Sequence, residues 1–90
     1  MMYQKHLIIS GRVQGVGFRA FALDKSRKFG IKGWIKNRSD GKVEAVVQGK
    51  ESDINRLLKY FEKGPAWARV DNIEIENENK DTKFKSFTIK

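Results

Sequence analysis

Two glycines and an arginine stand close together in the segment GRVQGVGFRA, residues 11–20, between an apolar run and an amphipathic run. Gly15 and Gly17 permit backbone dihedral angles that a β-carbon would obstruct, so the N–H groups of this turn can converge on an anion. Arg19 adds a planar, permanently charged guanidinium that suits two phosphate oxygens. These residues favour a phosphate-binding loop, with a structural turn and a surface arginine as the alternative.

Other glycine-loop chemistries do not fit this segment. GVGFRA loosely resembles the dinucleotide-binding pattern GxGxxA, but that motif belongs to a doubly wound domain larger than 90 residues. A Walker A loop ends in Gly-Lys-Ser/Thr, whereas this loop ends in Gly-Phe-Arg. The sequence contains no cysteine, which excludes a cysteine-based phosphatase, disulfides and thiolate metal sites.

Hydrophobic periodicity predicts the elements that would position the loop. Phe18, Phe21, Ala22 and Phe29 have helical spacing, and Gly30 is a natural end for that helix. The other predicted elements are strands at 3–10, 31–37, 42–48, 70–78 and 84–90, a second helix at 51–63, and a polar turn or loop at 76–82.

This element order, β-α-β-β-α-β with a short C-terminal strand, predicts an α+β protein with a ferredoxin-like α/β sandwich fold. Four strands would form an antiparallel sheet with two helices on one face. The RSDG turn joins segments 31–37 and 42–48 and should make them a hairpin. Since the sequence shows no linker and no low-complexity segment, we expect a single domain over residues 1–90.

Asn37 is the second candidate for a functional residue. An asparagine before a turn usually has a structural role, but the predicted topology brings this strand close enough to the loop for Asn37 to face an anion there. His6 is expected to have a surface or packing role. Asp40 is expected to form the turn, with tuning of the site as the alternative. The phenylalanines of both helices should be in the core, Trp34 could line the site or pack on the sheet, and Trp67 should pack against a helix.

Composition and charge limit the kind of protein and partner. The net charge is +8, and residues 1–50 carry 11 Lys and Arg against 3 Asp and Glu, whereas residues 51–90 carry 8 of each. This asymmetry suits an anionic partner, although solubility also explains it. No apolar run is long enough to span a membrane. The absence of cysteine fits a cytoplasmic protein, which we expect. We also expect a monomer, because the chain is small and shows no obvious apolar seam.

Two segments closely resemble motifs of the acylphosphatase family. SGRVQGVGFR, residues 10–19, is similar to the family's phosphate-loop motif, and GWIKNRSDGKVEAVVQG, residues 33–49, is similar to its second motif. KGPAWARV, residues 63–70, is similar to the family's segment after the second helix. Ile35 and Lys63 differ from the residues usual at their positions, and neither lies at the expected chemistry. The resemblance covers essentially the whole chain.

The resemblance implies hydrolysis of acyl phosphates to a carboxylate and inorganic phosphate, with no metal, no other cofactor and no phosphoenzyme. Arg19 matches the family's phosphate-binding arginine, and Asn37 matches the asparagine that holds the attacking water. The backbone N–H groups that match the phosphate cradle are those of Gln14, Gly15, Val16, Gly17, Phe18 and Arg19. Phosphate or another anion could then occupy the loop.

Two other functions remain as alternatives. Ferredoxin-like sandwiches with basic, aromatic sheet faces can bind single-stranded RNA, but the third predicted strand, KVEAVVQG, has no aromatic residue for stacking. We therefore expect no nucleic-acid partner. The other alternative is a phosphate- or carbamoyl-phosphate-handling domain of a larger maturation enzyme. The length of 90 residues argues against it.

Overall fold

The described residues form two helices and five strands. The computed structural model describes residues 2–78 and 82–90, so the loop predicted at 76–82 lies in part outside the described residues. The elements are β1 (Met2–Arg12), α1 (Phe18–Lys28), β2 (Lys32–Asn37), β3 (Val43–Lys50), α2 (Glu51–Lys63), β4 (Arg69–Asn77) and β5 (Phe87–Ile89).

The strands form one sheet in the order β4-β1-β3-β2-β5. β1 pairs antiparallel with β3 and with β4, and β2 pairs antiparallel with β3. β5 is parallel to β2 and contacts it only over Gly33–Ile35, so it is shorter than the predicted segment 84–90. The ferredoxin-like sandwich with a four-stranded antiparallel sheet and a short C-terminal strand is thus confirmed.

The turn between β2 and β3 forms the expected hairpin. The Arg38 N–H donates to the carbonyl of Lys42 at 2.8 Å, and Gly41 has a φ of 90°. The carboxylate of Asp40 accepts a hydrogen bond from the Lys42 N–H at 3.1 Å and pairs with Arg38 at 2.9 Å. The bond from the Lys42 N–H, followed by the charge of Arg38, lowers the pKa of Asp40. These contacts support the turn-forming role expected for Asp40.

The core lies between the sheet and the helices. Alternating residues of the strands face the helices and are fully buried; these include Leu7, Ile9, Ile35, Val43, Ala45 and Val47. Phe18 of α1 and Phe61 of α2 meet in this layer with ring centroids 5.5 Å apart in an edge-on arrangement. Burying Phe18 fixes the first turn of α1 on the sheet and thereby positions the loop before it.

The other sheet face carries polar and charged side chains. His6 on β1 contacts Glu44 on β3 with a distance of 2.6 Å between Nε2 and Oε2. The hydrogen bond with His6 is the main reason that the pKa of Glu44 is lowered. Trp34 lies on this face too, with the ammonium groups of Lys90 and Lys36 at 4.2 and 5.5 Å from its ring.

Candidate active site

The loop between β1 and α1 owes its shape to two glycines in the left-handed region. Gly15 has a φ of 73° and Gly17 a φ of 79°. A β-carbon added at either position would meet nothing within 4 Å, so space does not explain these glycines. The backbone conformation explains them, because residues other than glycine rarely adopt such a φ. The predicted reason for the glycines therefore agrees with the structure.

The loop and the start of α1 leave a set of backbone donors unused. Gly17 caps α1 without a side-chain hydrogen bond, and the Phe21 N–H donates back to the Gly17 carbonyl at 3.0 Å. Among the described residues, no backbone carbonyl accepts from the N–H groups of residues 14–19. These free donors and the positive end of the helix dipole favour an anion at this position.

Arg19 stands in the first turn of α1, where its charge opposes the helix dipole. The turn reads Phe-Arg-Ala-Phe, so it holds a cation where a carboxylate would stabilise the helix. The Arg19 side chain is half-buried, and within residues 2–78 and 82–90 it forms no salt bridge. Because this placement costs stability, a partner outside the chain, namely an anion, best explains it.

Asn37, the last residue of β2, has a side-chain oxygen without a partner. Its Oδ1 is buried, and no group of the described chain bonds it. Leaving a buried acceptor unsatisfied costs about 1–3 kcal/mol, which makes it a strong candidate for binding a water or a ligand. Val43 pairs with Asn37 across the hairpin and is fully buried. Its side chain is apolar and cannot form a hydrogen bond with Oδ1.

The separate elements meet around one cavity of about 250 Å³. The residues that line it are Val13, Gly15, Gly17, Phe18, Arg19, Ala20, Asn37 and Ile89. The structure thus brings together both predicted catalytic residues and, besides Arg19, three of the predicted loop residues, namely Gly15, Gly17 and Phe18. Among these lining residues the charged side chain is Arg19, and the polar neutral one is Asn37.

Gln14 and Val16 belong to the predicted loop but do not line the cavity. Val16 packs against the core instead. The Gln14 side-chain amide donates to the carbonyls of Arg38 and Lys42 at 2.8 and 2.9 Å. Gln14 therefore ties the loop to the hairpin that carries Asn37, a role beyond the backbone donor predicted for it. The sequence gives no signal of this tie, because its acceptors are distant carbonyls.

Ile89 was not among the predicted site residues. It lies next to Ile35 in the parallel pairing of β5 with β2, which brings it to the cavity. In the sequence, Ile89 is predicted only to share a face with Phe87. Its place at the site depends on which strand β5 joins, and no local pattern determines that.

The two tryptophans and a larger concavity lie elsewhere. A concavity of about 700 Å³ is lined by Trp34 and by residues of the segment before β5, and it contains none of the predicted site residues. Trp34 thus lines the outer face of the sheet rather than the site. Trp67 is 78% exposed, so the expectation that it packs against a helix is wrong.

Residues 2–78 and 82–90 show neither a metal-binding cluster nor a membrane-spanning helix. This part of the chain holds no cluster of three or more His, Asp and Glu residues that could bind a metal ion. Neither helix found in the same part is long and apolar enough to cross a membrane.

The family model of acylphosphatases matches residues 5–89. The chain belongs to the acylphosphatase family. An acylphosphatase from Chloroflexus aurantiacus is 42% identical over 88 residues, which are 98% of this chain and 96% of that protein. One from Anaeromyxobacter dehalogenans is 47% identical over 70 residues, or 78% of this chain and 75% of that protein.

Solved structures agree with this membership. The acylphosphatase from Bacillus subtilis superimposes with a TM-score of 0.93 at 34% identity, covering 99% of this chain and 98% of that one. Full-length HypF contains a similar unit, with a TM-score of 0.89 at 31% identity, but this chain covers only 12% of it. The expectation of an acylphosphatase is confirmed, and with it the hydrolysis of acyl phosphates as the activity of this enzyme.

Proposed function

We propose that the enzyme cleaves acyl phosphates without a metal ion, by in-line attack of a water held by Asn37 on a phosphoryl group held by Arg19 and the glycine loop. One observation carries the proposal. The unpartnered Oδ1 of Asn37 belongs to a residue that lines the same cavity as Arg19, Gly15 and Gly17.

The phosphoryl group would lie at the loop. The N–H groups of Gln14, Gly15, Val16, Gly17, Phe18 and Arg19 form the proposed cradle, and the Arg19 guanidinium donates two parallel hydrogen bonds to phosphate oxygens. Phosphoryl transfer depends mainly on positioning and on charge stabilisation. A fixed guanidinium beside a helix N-terminus supplies both, so this site can neutralise the substrate's charge with the chain's own groups.

Asn37 would orient the nucleophile. Its Oδ1 accepts a hydrogen bond from a water, which directs a lone pair of the water oxygen at phosphorus. Because an amide is a poor base, the water proton passes to a phosphate oxygen of the substrate. The water oxygen forms the new bond to phosphorus as the bond to the acyl oxygen breaks, and that electron pair leaves on the carboxylate.

The leaving group explains why a general acid is not needed. A carboxylate is stable at neutral pH without protonation, unlike an alkoxide. The described cavity lining accordingly contains Arg19 and Asn37 but no carboxyl or imidazole group. His6 lies with Glu44 on the other face of the sheet. We further propose that the enzyme is a cytoplasmic monomer acting on small molecules, with phosphate as a competitive occupant of the loop.

Hydrolysis of benzoyl phosphate in the presence of EDTA tests this proposal. The unchanged protein should hydrolyse it at the same rate with and without EDTA, whereas Arg19→Ala and Asn37→Ala should each lose nearly all activity and remain folded. Arg56→Ala and Asn55→Ala remove the same side-chain types from the exposed face of α2 and should remain fully active.

Three results would contradict parts of this proposal. Loss of hydrolysis on adding EDTA would contradict metal independence. Near-normal rates in either cavity variant would contradict the role of that residue. A pH–rate profile that requires an enzyme base with a pKa near neutrality would contradict proton transfer to the substrate.

A further inference from the structure

Two apolar side chains outside the phosphate-binding machinery, Ala20 and Ile89, line the same cavity as Arg19 and Asn37. We propose that Ile89, together with Ala20, forms the surface against which the acyl group packs. Ile89 thereby makes the enzyme prefer acyl phosphates with a large apolar acyl group over those with a small one. This inference rests on the proposed function, because it takes the phosphoryl group to lie at the glycine loop.

Strand geometry directs Ile89 towards the site. Phe87 is buried in the core, and Ile89, two residues further along β5, projects to the same side of the sheet. Ile89 pairs with Ile35 on β2, and Asn37 lies two residues beyond Ile35 on that same side. Ile89 and Asn37 are therefore diagonal neighbours on adjacent strands, within the reach of one substrate.

Two contacts hold the backbone around Ile89 in place. The Lys90 N–H donates to the carbonyl of Ile35 at 2.8 Å, just after Ile89. On the other side, the Arg27 guanidinium of α1 donates to the carbonyl of Phe87 at 3.2 Å. The bond from Lys90 is part of the parallel pairing of β5 with β2. Because these bonds fix the backbone of β5, the Cα and Cβ atoms of Ile89 stay at the cavity, and a residue held on a rigid element in this way can discriminate between ligands.

Exposure separates Ile89 and Ala20 from the other apolar side chains of the lining. Val13 and Phe18 are each only 1% exposed, so little of their surface is available to a substrate. Ile89 is 40% exposed, and covering that apolar surface favours binding. The cation in the described lining, Arg19, is assigned to the phosphoryl group. An acyl group with its own charge thus gains no partner there, whereas an apolar one gains contact with Ile89.

Rates with benzoyl phosphate and acetyl phosphate test this inference. Ile89→Ala should lower kcat/KM for benzoyl phosphate about fivefold or more, but change that for acetyl phosphate less than about twofold. The inhibition constant of inorganic phosphate should be unchanged, because the loop is intact. Ile89→Leu keeps the apolar volume and should keep the preference. Ile75→Ala removes a similarly exposed isoleucine (46%) from the opposite edge strand, β4, and should leave both rates unchanged.

Binding of two phosphonates gives a readout that needs no turnover. In 2-oxo-2-phenylethylphosphonate and 2-oxopropylphosphonate a CH₂ group replaces the bridging oxygen, and calorimetry should show that Ile89→Ala weakens only the phenyl compound.

The possible failures can be told apart. An unchanged benzoyl-to-acetyl ratio in Ile89→Ala, or an equal loss with both substrates, would overturn the assignment of Ile89 while leaving the proposed function in place. If the wild-type protein hydrolysed neither substrate, the proposed function would fail. Binding of the two phosphonates would then still test whether Ile89 contacts the acyl group. If Ile89→Ala weakened the binding of both phosphonates equally, the assignment of Ile89 would be overturned.

Discussion

Replacing Arg19 with methionine should inactivate the enzyme and at the same time stabilise it. The charge of Arg19 lies in the first turn of α1, where the free N–H groups already carry positive partial charge. Removing a charge that opposes the dipole is worth about 0.3–1 kcal/mol. Methionine and arginine have similar helix propensities, so propensity adds little. For a domain of this size 1 kcal/mol corresponds to about 4–8 °C, which predicts a rise in Tm of about 1–8 °C.

Lys28→Met is the matched control for this effect. Lys28 is exposed in the last turn of the same helix, where a positive charge is favourable. Both substitutions lower the net charge of +8 by one, so the change in overall repulsion is the same in each. We therefore expect Lys28→Met to lower Tm slightly and to leave kcat/KM unchanged, while Arg19→Met raises Tm.

The activity of the Arg19 variants should change in the opposite sense. Loss of the guanidinium should lower kcat/KM for benzoyl phosphate about 10³-fold or more, since preorganised charge stabilisation is the main source of catalysis in phosphoryl transfer. Arg19→Lys keeps the charge but loses the two-pronged geometry, so its Tm should stay near that of the unchanged protein while its activity is severely impaired. Initial rates and thermal unfolding by circular dichroism measure both quantities.

A fall in Tm for Arg19→Met as large as that for Lys28→Met would refute this reasoning. It would show that Arg19 makes stabilising contacts inside the protein and is not held free to bind an anion. Near-normal kcat/KM in Arg19→Lys would refute the need for bidentate binding, and a charge alone would then suffice.

Two further predictions follow from contacts around the site and on the outer sheet face. Gln14→Ala should lower the free energy of unfolding by about 2 kcal/mol, because it removes two hydrogen bonds to the carbonyls of Arg38 and Lys42, and it should lower kcat more than it raises KM. Urea unfolding and steady-state rates check this, and a Gln14→Glu variant as stable as the unchanged protein would disprove it, because a carboxylate cannot donate to those carbonyls. The lowered pKa of Glu44, caused mainly by its hydrogen bond with His6, adds stability that is complete above the unfolded pKa and is lost as the pH falls through the folded value. The Tm difference between the unchanged protein and Glu44→Gln should therefore be larger at about pH 6 than at about pH 3, and a difference that stays constant between these pH values would show that Glu44 contributes no such linkage.

The elements and the loop could be predicted because their signals are local. Gly15 and Gly17 indicate backbone angles that few other residues adopt, and both have a positive φ in the structure. The spacing of Phe18 and Ala22 indicates a helical face, and both are buried in α1. Residues close in the sequence carry this information, so neither the loop nor the helix depended on knowing the tertiary contacts.

The surroundings of the aromatic residues were less predictable. Trp34 alternates with Ile35 on β2, and only the packing of the helices decides which of the two faces the core. Trp67 lies in the loop between α2 and β4, where the sequence gives no periodicity from which exposure could be read.

The sequence by itself determined the fold class, the glycine loop and the two residues, Arg19 and Asn37, at which chemistry was expected. Only the tertiary structure decided that Gln14 ties the loop to the hairpin and that Ile89 stands beside Asn37. The physical reason is the range of the interactions. Dihedral preferences and side-chain periodicity act over a few residues, whereas the partner of an edge strand or of a side-chain amide is chosen by the packing of segments far apart in the chain.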